Sequence, residues 1–172
     1  MSMNDSQKKR IVAIWAEDSH HLIGVQGKLP WHLPKELKHF KETTMNQALL
    51  MGRVTFDGMN RRILPGRDTL VLTRDPQFKA EGVTAVHSVK EALSWFRQQD
   101  KTLFIVGGAS IYKAFENYYD EIIRTSVQGQ FEGDTYFPSI DLSHFQKISQ
   151  RFFERDEQNA YDFTVAVFKK KE

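Results

Sequence analysis

Apolar residues fall into short runs of strand length along the chain, separated by polar stretches. Two runs, residues 70–72 and 104–106, are apolar at every position, as is typical of strands buried on both faces in a parallel sheet. The last run alternates instead and places Tyr161, Phe163, Val165 and Val167 on one face, which predicts an antiparallel edge strand. The predicted strands are residues 11–16, 48–51, 70–73, 83–86, 103–106, 122–127, 145–153 and 161–168.

Helical patterns lie between these runs. One begins at Pro34, a residue that suits the first helical position, and extends to residue 43. Ser88 and Glu91 have the spacing of a capping box before a third helix, and residues 55–61 and 109–117 follow strands directly. The alternation predicts a single α/β domain with a mostly parallel central sheet of about eight strands, an antiparallel C-terminal edge strand and about four flanking helices.

Composition limits the classes of function. The 172 residues suggest one domain at 11–172, after a polar N-terminal tail at 1–10. The charge balance of 24 basic and 22 acidic residues does not indicate nucleic-acid binding. With no cysteine, thiolate metal sites and disulfides are excluded, and no metal is expected. No apolar run has the length of a membrane span, and residues 1–10 lack the apolar stretch that a secretory signal would have. We therefore expect a cytoplasmic protein. We also expect a monomer, because no long unpaired apolar helix face is evident in the sequence.

Two predicted strands end in glycine and lead straight into a helix, at Gly52 and at Gly107–Gly108. A helix N-terminus presents free N–H groups, and glycine lets a phosphate approach the backbone closely. Two such corners could hold the ends of a pyrophosphate, although neither matches the Rossmann or Walker A pattern. Alternatively, each glycine only closes a tight turn. The cationic and hydroxyl groups of Arg53, Thr73 and Arg74 favour an anionic ligand such as the 2′-phosphate of NADPH.

Glu36 is the candidate for proton chemistry. At 100° per residue, Leu33, Leu37, Phe40 and Thr44 share one arc of the predicted helix, and Glu36 lies at its edge. Partial burial there would raise the carboxylate pKa and make the group a proton source or a binder of a polar ring edge. The spacing by itself favours the simpler interpretation that Glu36 is an early-turn acid stabilised by the helix dipole.

Seven motifs in order resemble the dihydrofolate reductase family, and the resemblance extends from Ile11 to about Phe168. They are similar to its first strand (12–16), active-site loop (23–24 and 29–31), substrate helix (34–40), MGRxT corner (51–56), LPGR turn (64–67), Gly-Gly corner (106–112) and EGDTxFP segment (132–138). The loop and helix look like those of the bacterial, Gram-positive branch. The resemblance implies NADPH-dependent reduction of 7,8-dihydrofolate to 5,6,7,8-tetrahydrofolate, with hydride transfer to C6 and protonation at N5.

The resemblance also reverses the interpretation of Glu36, which would hold the pterin and support protonation at N5. Thr125 would bond this acid, Trp31 would help to order a nearby water, and Leu29 would belong to a mobile lid. The substrate contacts implied are Val12, Ala13, Glu36, Leu37, Phe40, Met59, Leu64, Arg67, Val106, Tyr112 and Thr125. The cofactor contacts implied are Ala13, Ile14, Ile23, Gly24, Leu29, Gly52, Arg53, Val54, Thr55, Leu72, Thr73, Arg74, Val106, Gly107, Gly108, Ala109, Ser110, Ile111, Tyr112 and Thr135.

Several of these implied roles are specific. Val12 and Val106 would offer backbone carbonyls to the pterin edge, and to the diaminopyrimidine ring of antifolate inhibitors. Arg67 would pair with the folate α-carboxylate. The peptide bond between Gly107 and Gly108 would be cis. Leu37, Phe40, Met59 and Leu64 would line the aminobenzoyl pocket.

The chain also departs from the family pattern. Glu36 is longer than the aspartate of many bacterial members, and Ser110 is shorter than the usual polar residue. The loop at Arg61–Arg62 is one residue longer than its commonest form, and Asn60 stands where glycine is frequent. The resemblance places these last two changes at the rim of the aminobenzoyl pocket.

Two other functions fit parts of the sequence. A reductase of a riboflavin-pathway pyrimidine has a related fold, but Glu36 after Leu-Pro-Trp and Arg67 for a glutamate tail speak against it. A non-catalytic protein could keep the nucleotide pocket, but the acid, the threonine and both glycine corners are intact. Loss of NADPH absorbance with dihydrofolate would separate these alternatives.

Overall fold

The eight apolar runs become the eight strands of one sheet in the computed structural model, which describes residues 9–171. In chain order the strands are β1 (Ile11–Glu17), β2 (Leu22–Gly24), β3 (Ala48–Gly52), β4 (Asp68–Leu72), β5 (Val83–Val86), β6 (Leu103–Ile105), β7 (Glu121–Val127), β8 (Thr135–Tyr136), β9 (Phe145–Phe153) and β10 (Phe163–Lys170). The helices are α1 (Pro34–Thr44), α2 (Arg53–Gly58), α3 (Val89–Arg97) and α4 (Ala109–Ala114).

The sheet has the order β5-β4-β3-β6-β1-β7-β10-β9. Its first six strands are parallel to one another, and β10 is antiparallel to both β7 and β9. The central strands β1 and β3 are buried at every residue, which explains their uninterrupted apolar sequences. The predicted α/β class, the mostly parallel sheet and the four helices are confirmed. Strands β2 and β8, which the sequence analysis did not predict, form a separate two-stranded sheet.

The antiparallel direction of the last strand is confirmed, but its predicted position at the edge is wrong. Strand β10 pairs on both sides, and the mostly exposed β9 is the outer strand. Alternation of apolar and polar residues indicates that one face of a strand is buried. It does not report whether both of the strand's hydrogen-bonding edges are paired.

Helices cover both faces of the sheet. Alternate residues of β1 belong to two apolar clusters, with Ala13 in one and Ile14 in the other. Helices α3 and α4 pack on the first cluster, and Phe56 of α2 and Leu33 at the start of α1 pack on the second. None of the helices in residues 9–171 is long and apolar enough to cross a membrane.

Some predicted boundaries change. Residues 1–8 of the predicted polar tail lie outside the described residues, whereas Lys9 Nζ donates to the carbonyl of Gln99 at 2.8 Å and Arg10 pairs with Glu121 at 3.2 Å. The region predicted as a helix to residue 61 ends earlier, because Asn60 and Arg61 take left-handed φ values of 57° and 56°. The last helix ends at residue 114 rather than at 117.

Candidate active site

Five neighbouring parallel strands end at the same edge of the sheet, and the candidate site lies there. Gly52 at the end of β3 is level with Leu72 of β4, and Leu50 is level with Ile105 of β6. On the other side, Ala16 of β1 is level with Thr125 of β7. Ligands of open α/β sheets bind outside this edge. The register therefore brings residues from distant parts of the sequence to one cleft.

The two glycine corners are in direct contact. The Gly52 N–H donates to the Gly107 carbonyl at 2.9 Å, and α2 and α4 begin beside this bond without a side-chain N-cap. A Cβ on Gly52 would lie 2.9 Å from Ile111 Cγ1, so only glycine fits without movement. The expected cis peptide bond between Gly107 and Gly108 is present. The Thr55 hydroxyl lies against both glycines.

A cationic cluster lies next to the first corner. Arg53 follows β3 and Thr73 follows β4, so the register of the two strands places them side by side. The Arg53 guanidinium donates to Asp75 at 3.0 Å and stacks over the ring of Phe78 at 5.1 Å. The Thr73 hydroxyl accepts from the Asp75 N–H at 3.2 Å. Arg74 is exposed beside them.

Glu36 is the acid of the site. It lies in the first turn of α1, is 8% exposed, and accepts a hydrogen bond from the Thr125 hydroxyl at 3.2 Å. Burial raises its pKa from 4.5 to about 7, although the bond from Thr125 acts in the opposite direction. Near neutral pH, small changes in this environment would decide whether the acid is protonated. Such a group can exchange a proton with a ligand.

A buried tyrosine completes this part of the site. The Tyr112 hydroxyl donates to the carbonyl of Ile14 at 2.8 Å, and burial, with a smaller effect of the nearby Glu36, raises the pKa of this phenol. Tyr112 therefore remains neutral and keeps its role as a donor. The bond also places the backbone carbonyl of Ile14 next to the Tyr112 hydroxyl, on which Glu36 acts electrostatically.

The segment from β2 to α1 forms one wall. Leu29 is 46% exposed, whereas Trp31 is buried with its ring 5.2 Å from that of Phe131. Trp31 Nε1 is buried and has no acceptor among the described protein groups. The two-stranded sheet attaches this segment to the rest of the protein, with Gly24 opposite Thr135.

The outer end of the cleft has an apolar wall, and a surface cavity with cationic side chains lies next to it. Phe40, Met59, Leu64 and Val106 are half-buried on one apolar cluster, and Leu37 is 43% exposed. A surface cavity of about 350 Å³ is lined by Lys41, Met45, Pro65, Gly66 and Arg67. The Arg67 guanidinium donates to the Pro65 carbonyl at 3.0 Å and to the Thr44 hydroxyl at 3.3 Å.

Comparison with known proteins identifies the family. A family model described as dihydrofolate reductase matches residues 10–170. The chain is 51% identical to a dihydrofolate reductase of Lactococcus lactis subsp. lactis over 163 residues, which cover 93% of this chain and 97% of that one. The chain belongs to the dihydrofolate reductase family.

Other family members agree in sequence and in structure. A dihydrofolate reductase of Bacillus subtilis is 37% identical over 92% of this chain and 93% of its own. A structure of dihydrofolate reductase from Enterococcus faecalis, complexed with NADP(H) and RAB-propyl, superposes with a TM-score of 0.92 at 42% identity, covering 95% and 97% of the two chains. The predicted family, its Gram-positive affinity and its oxidoreductase class are confirmed.

Most residues expected at the site of this family member meet at the carboxyl edge, but Val12 and Ala13 do not. Both are 0% exposed inside the sheet, and Val12 is level with Glu121, four residues before Thr125. Their predicted contacts with substrate and cofactor are therefore wrong. The strand extends to Glu17, so the edge lies further along the chain than the sequence analysis assumed.

Residues on both sides of the cleft were not predicted from the sequence. Trp15 and Ala16, which follow Ile14 towards the edge, were not assigned roles, although counting back from the polar Glu17 would have found them. Asp75, the partner of Arg53, stands two residues after Thr73 and could have been noticed as a compensating charge. No three His, Asp or Glu side chains in residues 9–171 converge as metal ligands would.

Proposed function

We propose that this protein reduces 7,8-dihydrofolate to 5,6,7,8-tetrahydrofolate with NADPH, and that Glu36 governs protonation of the substrate. The observation that carries the proposal is the buried Glu36 carboxyl, bonded to Thr125 at the edge of the sheet where the two glycine corners also lie. A buried acid with a pKa of about 7 suits proton transfer at neutral pH. Continuous measurement of NADPH absorbance, with and without dihydrofolate, tests the reaction. An unchanged absorbance would contradict it.

NADPH fits the chemistry of the carboxyl edge, and a relative is described in complex with NADP(H). Arg53, Thr73 and Arg74 would hold its 2′-phosphate, and Thr55 with the backbone of residues 108–110 would hold the pyrophosphate. Ile14, Trp15, Ala16 and Leu29 would border the nicotinamide. When bound, the cofactor supplies the hydride. Further expected contacts are Ile23, Gly24, Gly52, Val54, Leu72, Val106, Gly107, Ile111, Tyr112 and Thr135.

The substrate would lie between Glu36 and Arg67. The Glu36 carboxylate would bind the pterin's amino group and ring N–H, and the carbonyls of Ile14 and Val106 would accept from the same edge. Leu37, Phe40, Met59 and Leu64 would contact the aminobenzoyl ring, and Arg67 would bind the α-carboxylate. Holding the reactants in this geometry removes much of the entropic barrier to the reaction.

Protonation at N5 would depend on Glu36 without direct contact. The acid would fix the pterin, and its charge would favour a protonated N5. Trp31 Nε1, a buried donor without a protein acceptor, suits a water at this place because an unpaired buried donor is costly. The apolar walls would exclude other water and so strengthen the electrostatic effect of Glu36.

Replacing Arg53 by Ala is expected to reduce the preference for NADPH over NADH. Each charge-assisted hydrogen bond contributes roughly 1.5–3 kcal/mol, so the wild-type preference should be at least about tenfold and should fall mainly through weaker NADPH binding. The ratio of kcat/KM for the two cofactors measures it. Arg61→Ala, which removes a nearby cation paired with Asp57, is the control. Equal values for the two cofactors in the wild type would contradict the assignment.

Replacing Arg67 by Ala is expected to raise the KM for dihydrofolate about tenfold or more and to change kcat little. The contact is remote from C6 and should be equal in the ground and transition states. Steady-state kinetics measure the two constants, with Arg62→Ala as a control in the preceding loop. A large loss of kcat at unchanged KM would assign Arg67 another role.

Antifolates with a diaminopyrimidine ring should bind through Glu36 and the carbonyls of Ile14 and Val106. The ring is basic, and a charge-assisted pair with a buried carboxylate is a strong contact. Glu36→Gln should therefore weaken binding at least about tenfold, as measured by isothermal titration calorimetry. An unchanged affinity would exclude this mode of binding.

The oligomeric state, the cellular location and the partners of the protein are also proposed. We infer that the protein acts as a monomer in the cytoplasm, on small molecules and without nucleic acid. The domain would begin near residue 11, which agrees with a family match from residue 10. Sedimentation at micromolar concentration tests the oligomeric state.

A further inference from the structure

The first turn of α1, which carries Glu36, does not have a capping side chain of its own. The N-cap residue is Leu33, whose side chain has no polar group, and Pro34 has no N–H. The N–H groups of Glu36 and Leu37 both donate to the Leu33 carbonyl at 3.0 Å. The remaining donor of this turn is the N–H of Lys35, next to the acid.

A residue far away in the sequence supplies the missing cap. Asn159, in the loop of residues 154–162 between β9 and β10, is 1% exposed, and its Oδ1 accepts from the Lys35 N–H at 2.9 Å. A side-chain acceptor at this place is the usual stabiliser of a helix N-terminus. Here the chain separation is 124 residues, so the bond joins two elements and not one turn to itself.

The amide of Asn159 is itself held in position. Its Nδ2 and its backbone N–H both donate to Asp156 Oδ1, at 2.9 and 2.8 Å. The other oxygen of Asp156 pairs with Lys35 Nζ at 2.7 Å. The amide nitrogen thus has a partner within the loop, which leaves the amide oxygen for the helix.

The same loop also reaches the Trp31 side of the site. The ring of Tyr161 packs edge-on against Phe131 at 4.8 Å, and Phe131 packs against Trp31 at 5.2 Å. The loop therefore contacts the Lys35 end of the segment that leads into Glu36 directly, and the Trp31 end through Phe131. Its contacts are made by a buried amide and by rings, which are more restrictive than exposed ion pairs.

We propose that Asn159 is a positioning residue for the reaction: through the Lys35 backbone it fixes the first turn of α1 and so the place of the Glu36 carboxyl beside Thr125. The inference rests on the proposed role of Glu36. Without this cap the first turn would fray, Glu36 would gain contact with water, and its bond to Thr125 would weaken. The groups facing Glu36 from other elements are Thr125 and Tyr112, and neither is touched by the loop bonds described above.

The test is the hydride step of Asn159→Ala, followed by single-turnover kinetics across pH. We expect the rate at neutral pH to fall about fivefold and the midpoint of the pH profile to move down by about half a unit, because a more hydrated carboxyl has a lower pKa. KM for dihydrofolate should rise, while KM for NADPH should not. Asn159→Ser, whose hydroxyl can accept from the Lys35 N–H and donate to Asp156, should recover part of the rate.

Controls separate this role from simple loss of stability. Glu157→Ala, an exposed change in the same loop, should leave rate and midpoint unchanged. If Asn159→Ala lowers the melting temperature but leaves the midpoint and the rate at wild-type values, the positioning role is excluded. If that variant does not fold, Asp156→Ala decides by the same criterion, since it releases the Asn159 amide from an exposed position. Glu36→Gln in parallel distinguishes the two proposals: a Glu36→Gln variant with wild-type kinetics refutes the role of Glu36 itself.

Discussion

Glu36→Gln is expected to slow hydride transfer near pH 7 by about 10²–10⁴-fold, the usual contribution of general acid–base groups. Hydride transfer to C6 requires a protonated N5, and N5 of free dihydrofolate is mostly unprotonated at neutral pH. Glu36 is the buried acid that the fold places against Thr125 at the carboxyl edge of the sheet. The glutamine is nearly isosteric, so the change removes the charge and the proton while the shape of the site is kept.

The pH dependence of this loss is the sharper part of the prediction. Lowering the pH should restore part of the rate, because solvent then protonates N5 without help from the protein. Glu36→Asp should be far milder, since it keeps the charge and shortens only its reach. Single-turnover measurement of the hydride step prevents product release from masking the effect. Wild-type rates at pH 7, or a defect that does not ease as the pH falls, would show that another group handles the proton.

The same substitution is expected to stabilise the ligand-free protein at alkaline pH. The pKa of Glu36 is raised from 4.5 to about 7 in the folded state, mainly by burial. Between these pH values the folded protein keeps a proton that the unfolded chain has released, so stability decreases as the pH rises. Below pH 4.5 the group has no such effect, and above pH 7 the effect is complete. One pKa unit corresponds to about 1.4 kcal/mol, so the full effect is about 3 kcal/mol.

Urea unfolding of both proteins across this pH range measures the effect. The free energy of unfolding of Glu36→Gln, relative to wild type, should increase by about 3 kcal/mol from the acidic to the alkaline limit. Other titrating groups cancel in this difference. Glu42→Gln, which removes an exposed carboxylate from the same helix, is the matched control for the loss of one surface charge. If the difference in free energy of unfolding between the two proteins does not change with pH, burial does not raise the pKa of Glu36.

The Glu36 and Val12 predictions both depended on tertiary contacts that a local pattern of residues does not contain. Helical spacing placed Glu36 at the border of an apolar arc, but it could not tell a solvated early-turn acid from a buried one. The burial depends on packing against Thr125, which is 89 residues away. Val12 failed for a related reason: a continuous apolar strand does not indicate which residue reaches the edge, and only the register with β7 placed the edge beyond Ile14.

What the sequence by itself determined about this protein is local. Apolar runs specified the eight strands of the main sheet, and the Ser88–Glu91 spacing predicted the cap of α3, where Ser88 accepts from the Glu91 N–H at 3.0 Å. Both depend on neighbours within a few residues, where periodicity and backbone geometry act. For the same reason, the sequence was enough to recognise the ordered motifs, the two glycine corners and the cationic residues beside them.

Only the tertiary structure decided which strand lies at the edge, which carbonyl of β1 reaches the site, and that Asn159 caps the helix of the acid. Each depends on a pairing between segments distant in sequence. Strand pairing uses backbone N–H and carbonyl groups, which every residue except proline carries in full. The cap of α1 uses one side-chain amide among several in the chain. No local sequence pattern therefore predicts either contact. The pKa of Glu36 belongs to the same class, because desolvation is produced by everything that surrounds the carboxyl and not by its neighbours in the chain.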